Sequence, residues 1–254
     1  MGTISAVVNQ KGGVGKTTTA VSLTAALHDL GLKVLLCDFD PQANATSGMG
    51  LDKRKIKHDV YDVAVDQLPA VQAIVSTMYG DVLPSSADLA GAAIELIGAN
   101  NREHRLSQAL EQVRSRYDVI FIDCPPSLEL LTLNGLCAAD SILVPVQCEY
   151  FALEGLSDLM STLRSVKRKL NPRLEIFGVA LTMFDGRTNF SAQVAQEVRR
   201  HFPGKVFASV IPRNIRLAEA PSHGIPVTAY DRFSRGAKAY KAMAEEIQAR
   251  LRKD

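Results

Sequence analysis

The sequence predicts an α/β protein with a doubly wound, mostly parallel sheet that is flanked by helices. Short apolar runs alternate along the 254 residues with helical patterns, and this order is typical of a parallel sheet covered on both faces. Right-handed crossovers between successive strands make such a sheet doubly wound. No linker, repeat or low-complexity segment interrupts the alternation. We therefore expect a single domain over residues 1–254.

Several segments are predicted to be strands because they are short and apolar. Two of them, DVIFID and SILVPV, are almost continuously apolar, as strands buried on both faces of a parallel sheet are. Pro84 stops another of them. The predicted strands are Thr3–Asn9, Lys33–Asp38, Asp81–Leu83, Asp118–Asp123, Ser141–Val146, Ile176–Phe184 and Val206–Ile211.

The segments between these strands have the residue spacing of helices. The first helix ends at Gly31, a residue type that favours a helix C-terminus, and a long helix later in the chain stops before Pro172. The predicted helices are Lys16–Leu30, Ala87–Ile97, Arg105–Arg116, Phe151–Leu170, Ala192–His201 and Ser234–Leu251.

Composition excludes several classes of protein. Apolar residues make up 46% of the chain and charged residues 22%, which argues against a disordered protein. No apolar run approaches the roughly 18 residues needed to cross a bilayer, and the N-terminus lacks the pattern of a signal peptide. The four cysteines form no CxxC pair, so we expect reduced core thiols in a cytoplasmic protein.

The charges are divided unevenly along the chain. Residues 1–150 contain 11 Lys and Arg against 17 Asp and Glu, whereas residues 151–254 contain 18 against 10. A basic half suits a polyanionic partner, but a solvated helix surface gives the same count. Charge alone leaves both interpretations open.

The strongest functional signal is the glycine-rich segment between the first predicted strand and the first predicted helix. Successive N–H groups at a helix N-terminus form an anion-binding nest, and glycines let the backbone approach phosphates closely. The Lys16 ammonium is placed to reach the β and γ phosphates of ATP, and the Thr17 hydroxyl to bind Mg²⁺. The predicted phosphate loop comprises Lys11, Gly12, Gly13, Val14, Gly15, Lys16, Thr17 and Thr18.

This loop departs from the usual G-x-x-x-x-G-K-[ST] pattern at its first position, which Gln10 occupies. It contains a second lysine, Lys11, which cannot easily fold back onto phosphates that its own loop surrounds. It can reach a nucleotide held by a second subunit. The sequence therefore predicts an ATP-dependent homodimer in which each chain donates Lys11 to the phosphates of the other.

Acidic residues stand at the ends of two predicted strands. Asp123 ends DVIFID, and Asp38 and Asp40 lie at the end of KVLLCDFD. Because the carboxyl ends of parallel strands share one edge of a sheet, carboxylates there suit Mg²⁺. We expect Thr17, Asp40 and Asp123 to bind the metal. Asp40 should also orient the attacking water, and Asp38 should support either the metal or the loop. Helix capping is the alternative for each carboxylate.

Five motifs together resemble the ParA/Soj family of partition ATPases, whose deviant Walker A loop belongs to the P-loop NTPase fold. The motifs are KGGVGKTTT, DFDPQANATSG, FIDCPPS, TMFDGRTN and VIPRNIRLAEAPSHG, and the resemblance covers nearly the whole chain. The first motif is shared with a wider superfamily, whereas the last two are much narrower. Lys11 resembles the family's signature lysine, and Gly12 resembles the glycine at which the loops of two subunits meet. Asp40 and Asp123 resemble the family's two switch aspartates.

The resemblance also assigns roles to residues in the basic half of the chain. Pro212 and Asn214 resemble the loop that holds adenine. Arg187 and Arg216 match the arginines with which the ATP-bound dimers of the family bind double-stranded DNA without sequence preference. No aromatic residues alternate with the basic ones, so phosphate contacts should dominate and binding should depend steeply on salt.

The family implies a cycle of slow ATP hydrolysis that a centromere-binding, ParB/Spo0J-like partner stimulates. It also implies a cytoplasmic protein that associates with the nucleoid and not with the membrane. Some partition ATPases carry an N-terminal helix-turn-helix domain. Because only nine residues precede Gln10, we expect none here.

Two alternatives come from the wider superfamily. A MinD-like membrane-cycling ATPase needs a C-terminal amphipathic helix, and Tyr240, Met243, Ile247 and Leu251 stand at helical spacing. That stripe is narrow and is more simply a face that packs on the core. A redox protein like the nitrogenase iron protein needs two cysteines per subunit at a [4Fe–4S] cluster, and the predicted positions of the four cysteines do not favour it.

Overall fold

A mostly parallel sheet runs through the centre of the computed structural model, which describes residues 2–127, 129–149 and 152–252. Its strands are β1 (Thr3–Val7), β2 (Val34–Asp38), β3 (Val75–Thr77), β4 (Gly80–Leu83), β5 (Val119–Asp123), β6 (Ser141–Gln147) and β7 (Glu175–Thr182). Their order across the sheet is β3-β4-β2-β5-β1-β6-β7. Neighbouring strands are parallel except β3 and β4, which form an antiparallel edge. The predicted fold class is confirmed.

Helices cover both faces of this sheet. The α-helices are α1 (Lys16–Asp29), α2 (Asn44–Gly48), α3 (Val60–Ala64), α4 (Ala70–Ala73), α5 (Ala92–Glu95), α6 (Arg105–Glu111), α7 (Leu130–Ala138), α8 (Ala152–Lys169), α9 (Asn189–His201), α10 (Ile215–Glu219), α11 (Val227–Tyr230) and α12 (Arg235–Leu251). Short 3₁₀ helices are formed by Lys53–Lys55, Ala87–Gly91, Arg102–His104, Arg114–Arg116 and Ala220–His223.

Successive residues of the central strands enter two hydrophobic cores, one on each face of the sheet. In β5, Ile120 and Ile122 pack with residues of α6, α7, α8 and α9, whereas Val119 and Phe121 pack with residues of α1 and α12. Burial on both faces is the reason that the central strands are apolar at almost every position.

The strand register places the predicted functional segments at one edge of the sheet. Val7, the last residue of β1, lies opposite Asp123, and Asp38 at the end of β2 lies opposite Asp123 from the other side. The loops that follow β1, β2 and β5 therefore meet where a doubly wound sheet usually binds its ligand.

The segment Val206–Ile211 was predicted to be a strand, and that prediction is wrong. It makes only isolated bridges to β7 and to the loop that follows it. The backbone N–H groups of Ala208 and Ser209 donate to the Glu246 carboxylate of α12, at 2.9 and 2.7 Å. Because a side chain takes these donors, the segment cannot continue a strand ladder.

Two predicted helices are shorter than expected. Ala87–Ile97 forms a 3₁₀ turn and then the single turn α5, because Gly91 lies inside it and weakens the helix. Arg105–Arg116 is α-helical only to Glu111 and tightens into a 3₁₀ turn near its end. Phe151, the predicted start of the long helix, lies outside the described residues, and α8 is described from Ala152.

The four cysteines are buried and none forms a disulfide, as predicted for core thiols. In the described ranges, none of the helices combines the length and the apolar character that crossing a bilayer requires.

Candidate nucleotide-binding site

The backbone of the phosphate loop is open on the side where an anion would lie. Gly13 and Gly15 have φ values of +75° and +91°, a region that side chains other than glycine rarely adopt. A Cβ built on Gly12 or Gly13 would meet no atom within 4 Å. No side chain caps the first turn of α1, so its backbone N–H groups point outward without a partner from a cap.

Neighbouring strands hold the loop in place. The Thr182 hydroxyl at the end of β7 donates to the Val14 carbonyl at 2.8 Å. The Asn9 side chain accepts from the Lys11 N–H at 3.0 Å and donates to the Pro145 carbonyl at 2.7 Å. The loop therefore has a fixed shape before any ligand binds.

Lys16 is nearly buried within this loop, with 7% of its surface exposed. Its ammonium donates to the Lys11 carbonyl at 3.2 Å. Burial lowers the pKa of Lys16, while the nearby carboxylates of Asp123 and Asp40 raise it. The loop thus holds a cation whose hydration has largely been removed.

Asp123 is a fully buried carboxylate with no hydrogen-bond partner for either oxygen among the described residues. Burial raises its pKa well above the usual value, and the charge of Asp38 raises it further. The Thr17 hydroxyl and Lys16 lie close enough to lower it, although Thr17 does not reach hydrogen-bond geometry. An unsatisfied buried carboxylate beside a hydroxyl fits the donor set of a divalent cation.

Asp38 serves the neighbouring loop. Its carboxylate accepts from the Thr46 N–H and hydroxyl, each at 2.7 Å, and from the Asp40 N–H at 3.3 Å. Burial raises the pKa of Asp38 to about 6, and these hydrogen bonds oppose the shift. Thr46 lies in the first turn of α2, so Asp38 satisfies an N-terminal donor of that helix, as the helix-capping alternative predicted, and it also supports the loop through the Asp40 N–H.

Asp40 lies half-exposed above the phosphate loop. Its carboxylate accepts from the Gln42 N–H at 2.9 Å, and its carbonyl accepts from the Ala43 N–H at 2.8 Å and from the Ser85 hydroxyl at 2.9 Å. Ala43 has a φ of +51°, so the turn after Asp40 is strained. Neither Asp40 nor Asp123 caps a helix in the described residues, which removes that alternative.

A cleft of about 720 Å³ extends from the phosphate loop to the loop after Val206–Ile211. Pro212 and Asn214 line its far end, so the structure brings them to the same cleft as Lys16. Asn214 also caps α10 by accepting from the Arg216 N–H at 2.9 Å.

Sequence reasoning missed the apolar walls of this cleft, which are formed by Met183, Ile211, Leu217 and Tyr240. Met183 has a φ of +51°, and the hydroxyl groups of Tyr240 and Thr19 hydrogen bond at 3.0 Å. The TMFDGRTN motif contained Met183 and was the one available signal for it. Ile211 and Leu217 stand in the VIPRNIRLAEAPSHG motif, and they meet Tyr240 only when α10 packs on α12 and α12 packs on α1.

The predicted metal ligands do not form a complete site by themselves. In the part of the chain that the structure describes, no group of three or more His, Cys, Asp or Glu side chains could hold a metal ion. Thr17, Asp40 and Asp123 supply oxygen atoms near Lys16, but the remaining ligands would have to come from a nucleotide or from water.

The Lys11 side chain is half-buried, and its ammonium has no ion-pair or hydrogen-bond partner in the described ranges. Lys11 is not among the residues that line the cleft.

The two predicted DNA-contacting arginines are exposed and already paired with carboxylates. Arg187, with 87% of its side chain exposed, makes two hydrogen bonds to Asp185 at 2.9 and 2.7 Å. Arg216 pairs with Glu219 at 2.7 Å and with Asp231 at 3.3 Å. The side-chain pairing with Arg187 holds the pKa of Asp185 well below its usual range.

The loops that bear these arginines are joined to each other. The Phe184 N–H donates to the Ile211 carbonyl, and the Arg213 N–H donates to the Phe184 carbonyl, each at 3.0 Å. Arg187 and Arg216 therefore follow two bridged segments at the same edge of the sheet.

Comparison with known proteins places this geometry in a wide group of nucleotide-dependent proteins. A family profile described as an AAA domain matches residues 2–176. The chain is 55% identical to the sporulation initiation inhibitor protein Soj of Bacillus subtilis, over 98% of this chain and 99% of that protein. It is 50% identical to the chromosome partitioning protein ParA of Caulobacter vibrioides, over 98% and 95% of the two chains.

Solved structures resemble the whole chain as well. Cobyrinic acid a,c-diamide synthase from Mycobacterium smegmatis, with a bound ATP analogue and magnesium, is 37% identical and superposes with a TM-score of 0.87 over 99% of this chain and 96% of the other. The cell division ATPase MinD of Pyrococcus furiosus is 30% identical, with a TM-score of 0.80 over 98% and 99%.

Proposed function

Because this chain belongs to the ParA/Soj family of chromosome-partitioning ATPases, we propose that it is an ATP-dependent DNA-binding switch. ATP and Mg²⁺ occupy the cleft, two copies pair through their phosphate loops, and the pair binds double-stranded DNA without sequence preference. A ParB/Spo0J-like partner stimulates hydrolysis, which separates the pair and releases the DNA. One observation carries the proposal: α10 lines the nucleotide cleft and also bears Arg216.

The phosphate end of the cleft supports ATP binding through charge. The N–H groups from Gly12 to Thr18 surround the phosphates, and the Lys16 ammonium neutralises them. Bound Mg²⁺ would balance the β and γ phosphate charge, and the Thr17 hydroxyl and the Asp123 carboxylate would hold it. Asp123 would then gain the cationic partner that it lacks in the free chain.

Asp40 is placed to act on the attacking water. Its loop is anchored through Asp38 and through the carbonyl contact of Ser85, while its carboxylate faces the cleft. A carboxylate that accepts a hydrogen bond from a water molecule can orient a lone pair of the water oxygen toward the γ phosphate. Asp40 is half-exposed in one chain, so closure by the second copy or by the stimulating partner would complete its environment.

The adenine end of the cleft supports a base through shape. Pro212 contributes a flat apolar ring, Asn214 contributes an amide, and the walls are mostly apolar. Pockets of this kind bury a planar ligand and fix its orientation with a few polar groups.

Pairing of two chains is supported by the lack of a polar partner for the Lys11 ammonium and by the open space at Gly12 among the described residues. The Lys11 ammonium has no partner among the described residues, and a Cβ on Gly12 would meet nothing in its own chain. A lysine that must neutralise phosphate therefore finds it in a second copy. A glycine at position 12 would therefore be required only if the phosphate loops of two copies approach each other there.

DNA binding is supported by Arg187 and Arg216 on bridged loops. Exposed ion pairs contribute little to stability, so phosphates of DNA can replace Asp185 and Glu219 as the partners of these arginines. Nucleoid association in the cytoplasm follows from this binding. Steep dependence on salt is expected because each phosphate contact releases a counterion.

The structure does not support the MinD-like alternative, because the helical stripe that suggested a membrane-binding face is largely buried. Tyr240, Met243 and Ile247 of the predicted stripe are at most 1% exposed and pack in the core with α1. A face that is buried in this way has no surface to offer a bilayer.

The test is retardation of a mixed-sequence duplex with ATP, with ADP and without nucleotide, at two salt concentrations, together with the molar mass in solution. We expect retardation and a doubled mass with ATP only, and weaker retardation at the higher salt concentration. Equal retardation in all three states would contradict the proposal. Sedimentation with anionic vesicles serves as the control for the MinD-like alternative, and we expect the protein to stay in the supernatant.

A further inference from the structure

The segment Asp231–Arg235, called the loop below, joins α11 to the first residue of α12 and lies against the element that bears Arg216. The Asp231 carboxylate pairs with the Arg216 Nε at 3.3 Å. The Tyr230 hydroxyl, just before the loop, donates to the Glu219 carboxylate of α10 at 3.2 Å. Two polar contacts therefore fix the start of this loop beside α10.

The end of the loop is fixed as well. A Cβ added to Gly236 would lie 2.8 Å from the Leu217 side chain of α10, so the backbones approach closely there. The Ser234 hydroxyl accepts from the Ala237 N–H at 3.1 Å and caps α12. Between these anchor points, Arg232, Phe233 and Arg235 are exposed.

The two arginines of this loop differ from those already assigned. Arg187 and Arg216 are each paired with a carboxylate, whereas neither Arg232 nor Arg235 has an ion pair within the described residues. The Arg232 guanidinium lies 5.5 Å from the centre of the Phe233 ring, and that ring is 73% exposed. Stacking on the ring holds the guanidinium at the surface without neutralising it.

On the basis of the proposed DNA-binding function, we propose that the Asp231–Arg235 loop is a second set of DNA contacts, in which Arg232 and Arg235 bind backbone phosphates next to Arg216. An unpaired guanidinium gives up no internal partner when it binds phosphate, so it contributes the full counterion release. DNA is favoured over an acidic protein surface because the loop continues the edge formed by Arg187 and Arg216.

The loop is also coupled to the nucleotide. Asn214, Ile215, Leu217 and Ala218 line the nucleotide cleft, and Leu217 packs on Gly236 at the end of the loop. A ligand in the cleft therefore contacts the helix on which the loop rests. The added phosphate contacts belong to the ATP-bound form of the protein.

The test compares Arg232→Ala/Arg235→Ala with a control that removes the same charge at the opposite edge of the sheet. The control is Arg168→Ala/Lys169→Ala, at the exposed C-terminal end of α8, where the chain turns toward the start of β7. Affinity for one mixed-sequence duplex is measured with a non-hydrolysable ATP analogue from about 50 to about 200 mM salt.

We expect the slope of log affinity against log salt to flatten by about 1.8 in the loop variant, or about 0.9 for each phosphate contact, and to stay unchanged in the control. Affinity of the loop variant at low salt should fall roughly tenfold or more. Arg232→Lys/Arg235→Lys keeps the charges and should restore the slope. If the double variant does not fold, the two single alanine variants replace it in the test. Each should flatten the salt-dependence slope by about half as much as the double variant.

Equal slopes for the loop variant and the control would overturn this inference while leaving the proposed function intact. A variant that binds DNA normally but loses stimulation by a partner protein would also overturn it, in favour of a protein contact. If the unsubstituted protein does not bind the duplex with the analogue, the proposed function fails first.

Discussion

The nucleotide cleft and the arginine edge of this protein handle charge in opposite ways. In the cleft, Lys16 and Asp123 are buried, and Asp123 has no hydrogen-bond partner among the described residues. At the edge, Arg187 and Arg216 are exposed, and each already has a carboxylate partner. The cleft holds charged groups that are buried and, for Asp123, without a hydrogen bond, whereas Arg187 and Arg216 at the edge are paired with partly exposed, exchangeable carboxylates.

This difference indicates which region can control the other. Burying an unpaired carboxylate is costly, so a ligand that compensates Asp123 releases free energy that can drive a second event. Exchanging one exposed ion pair for another changes little by itself. The cleft is therefore suited to drive the cycle and the edge to respond to it, with α10 between them.

The largest expected effect comes from Lys16→Ala, which removes the buried cation of the cleft. Binding of ATP should weaken by roughly 100-fold or more, because charge-assisted hydrogen bonds to phosphate are lost. DNA binding should disappear with it, although the edge is untouched. Calorimetry with ATP and retardation of the duplex check both effects. Normal DNA affinity in this variant would break the proposed control of the edge by the cleft.

Asp40→Ala removes from the cleft the carboxylate expected to orient water and leaves Lys16, Asp123 and the arginine edge unchanged. Hydrolysis should slow by roughly 100-fold, the lower range for loss of a positioned base. The ATP-bound pair should accumulate and remain on DNA. Phosphate release and size-exclusion chromatography with ATP measure the two effects. A variant that stays monomeric with ATP would argue against pairing through the nucleotide.

Arg187→Glu/Arg216→Glu changes the edge and leaves the cleft intact. Loss of two phosphate contacts and the added repulsion should lower DNA affinity by roughly 100-fold at low salt. ATP binding and pairing should persist, since neither arginine lines the cleft. Retardation assays and sedimentation with ATP distinguish these outcomes. If pairing is lost too, the arginines have a structural role and the two regions are not separable.

Asp123→Asn tests the buried charge of the cleft through the stability of the folded chain. Burial disfavours the charged form of Asp123, and its pKa in the folded chain is therefore raised. In the unfolded chain the same carboxyl ionises above about pH 4. The free energy of unfolding therefore falls as the pH rises above that value. The variant should be more stable than the unsubstituted chain at pH 7, by roughly 1–3 kcal/mol, yet deficient in hydrolysis. The difference should shrink toward pH 4. Urea unfolding of both proteins without nucleotide, between about pH 4 and pH 7, measures this difference in the free energy of unfolding. A difference that stays constant with pH would contradict the raised pKa of Asp123.

The sequence was informative where local chemistry decides structure. The phosphate loop, Asp38 and Asp123 follow apolar strands, and in a parallel sheet the ends of those strands share one edge. Their convergence could therefore be predicted, and so could the fold class.

Features set by distant contacts could not be predicted. Val206–Ile211 has the composition of a strand, but the Glu246 carboxylate takes two of its backbone donors. The ion pair of Arg216 with Asp231 depends on how α10 packs against the segment before α12, whereas the pair with Glu219 is local to α10. The packing of α10 on α12 brings Leu217 and Tyr240 into the same cleft, and neither the motif around Leu217 nor the helical spacing around Tyr240 indicates that contact.

Lys11 belongs to the phosphate loop, and the proposed pairing of two copies depends on its side chain. The most direct measurement is the mass in solution of the unsubstituted chain and of Lys11→Ala with a non-hydrolysable ATP analogue, with analogue binding measured on the same samples. We expect both proteins to bind the analogue, the unsubstituted chain to double its mass, and the variant to remain monomeric. If Lys11→Ala doubles its mass as readily as the unsubstituted chain, the lysine does not join two copies and the account is wrong.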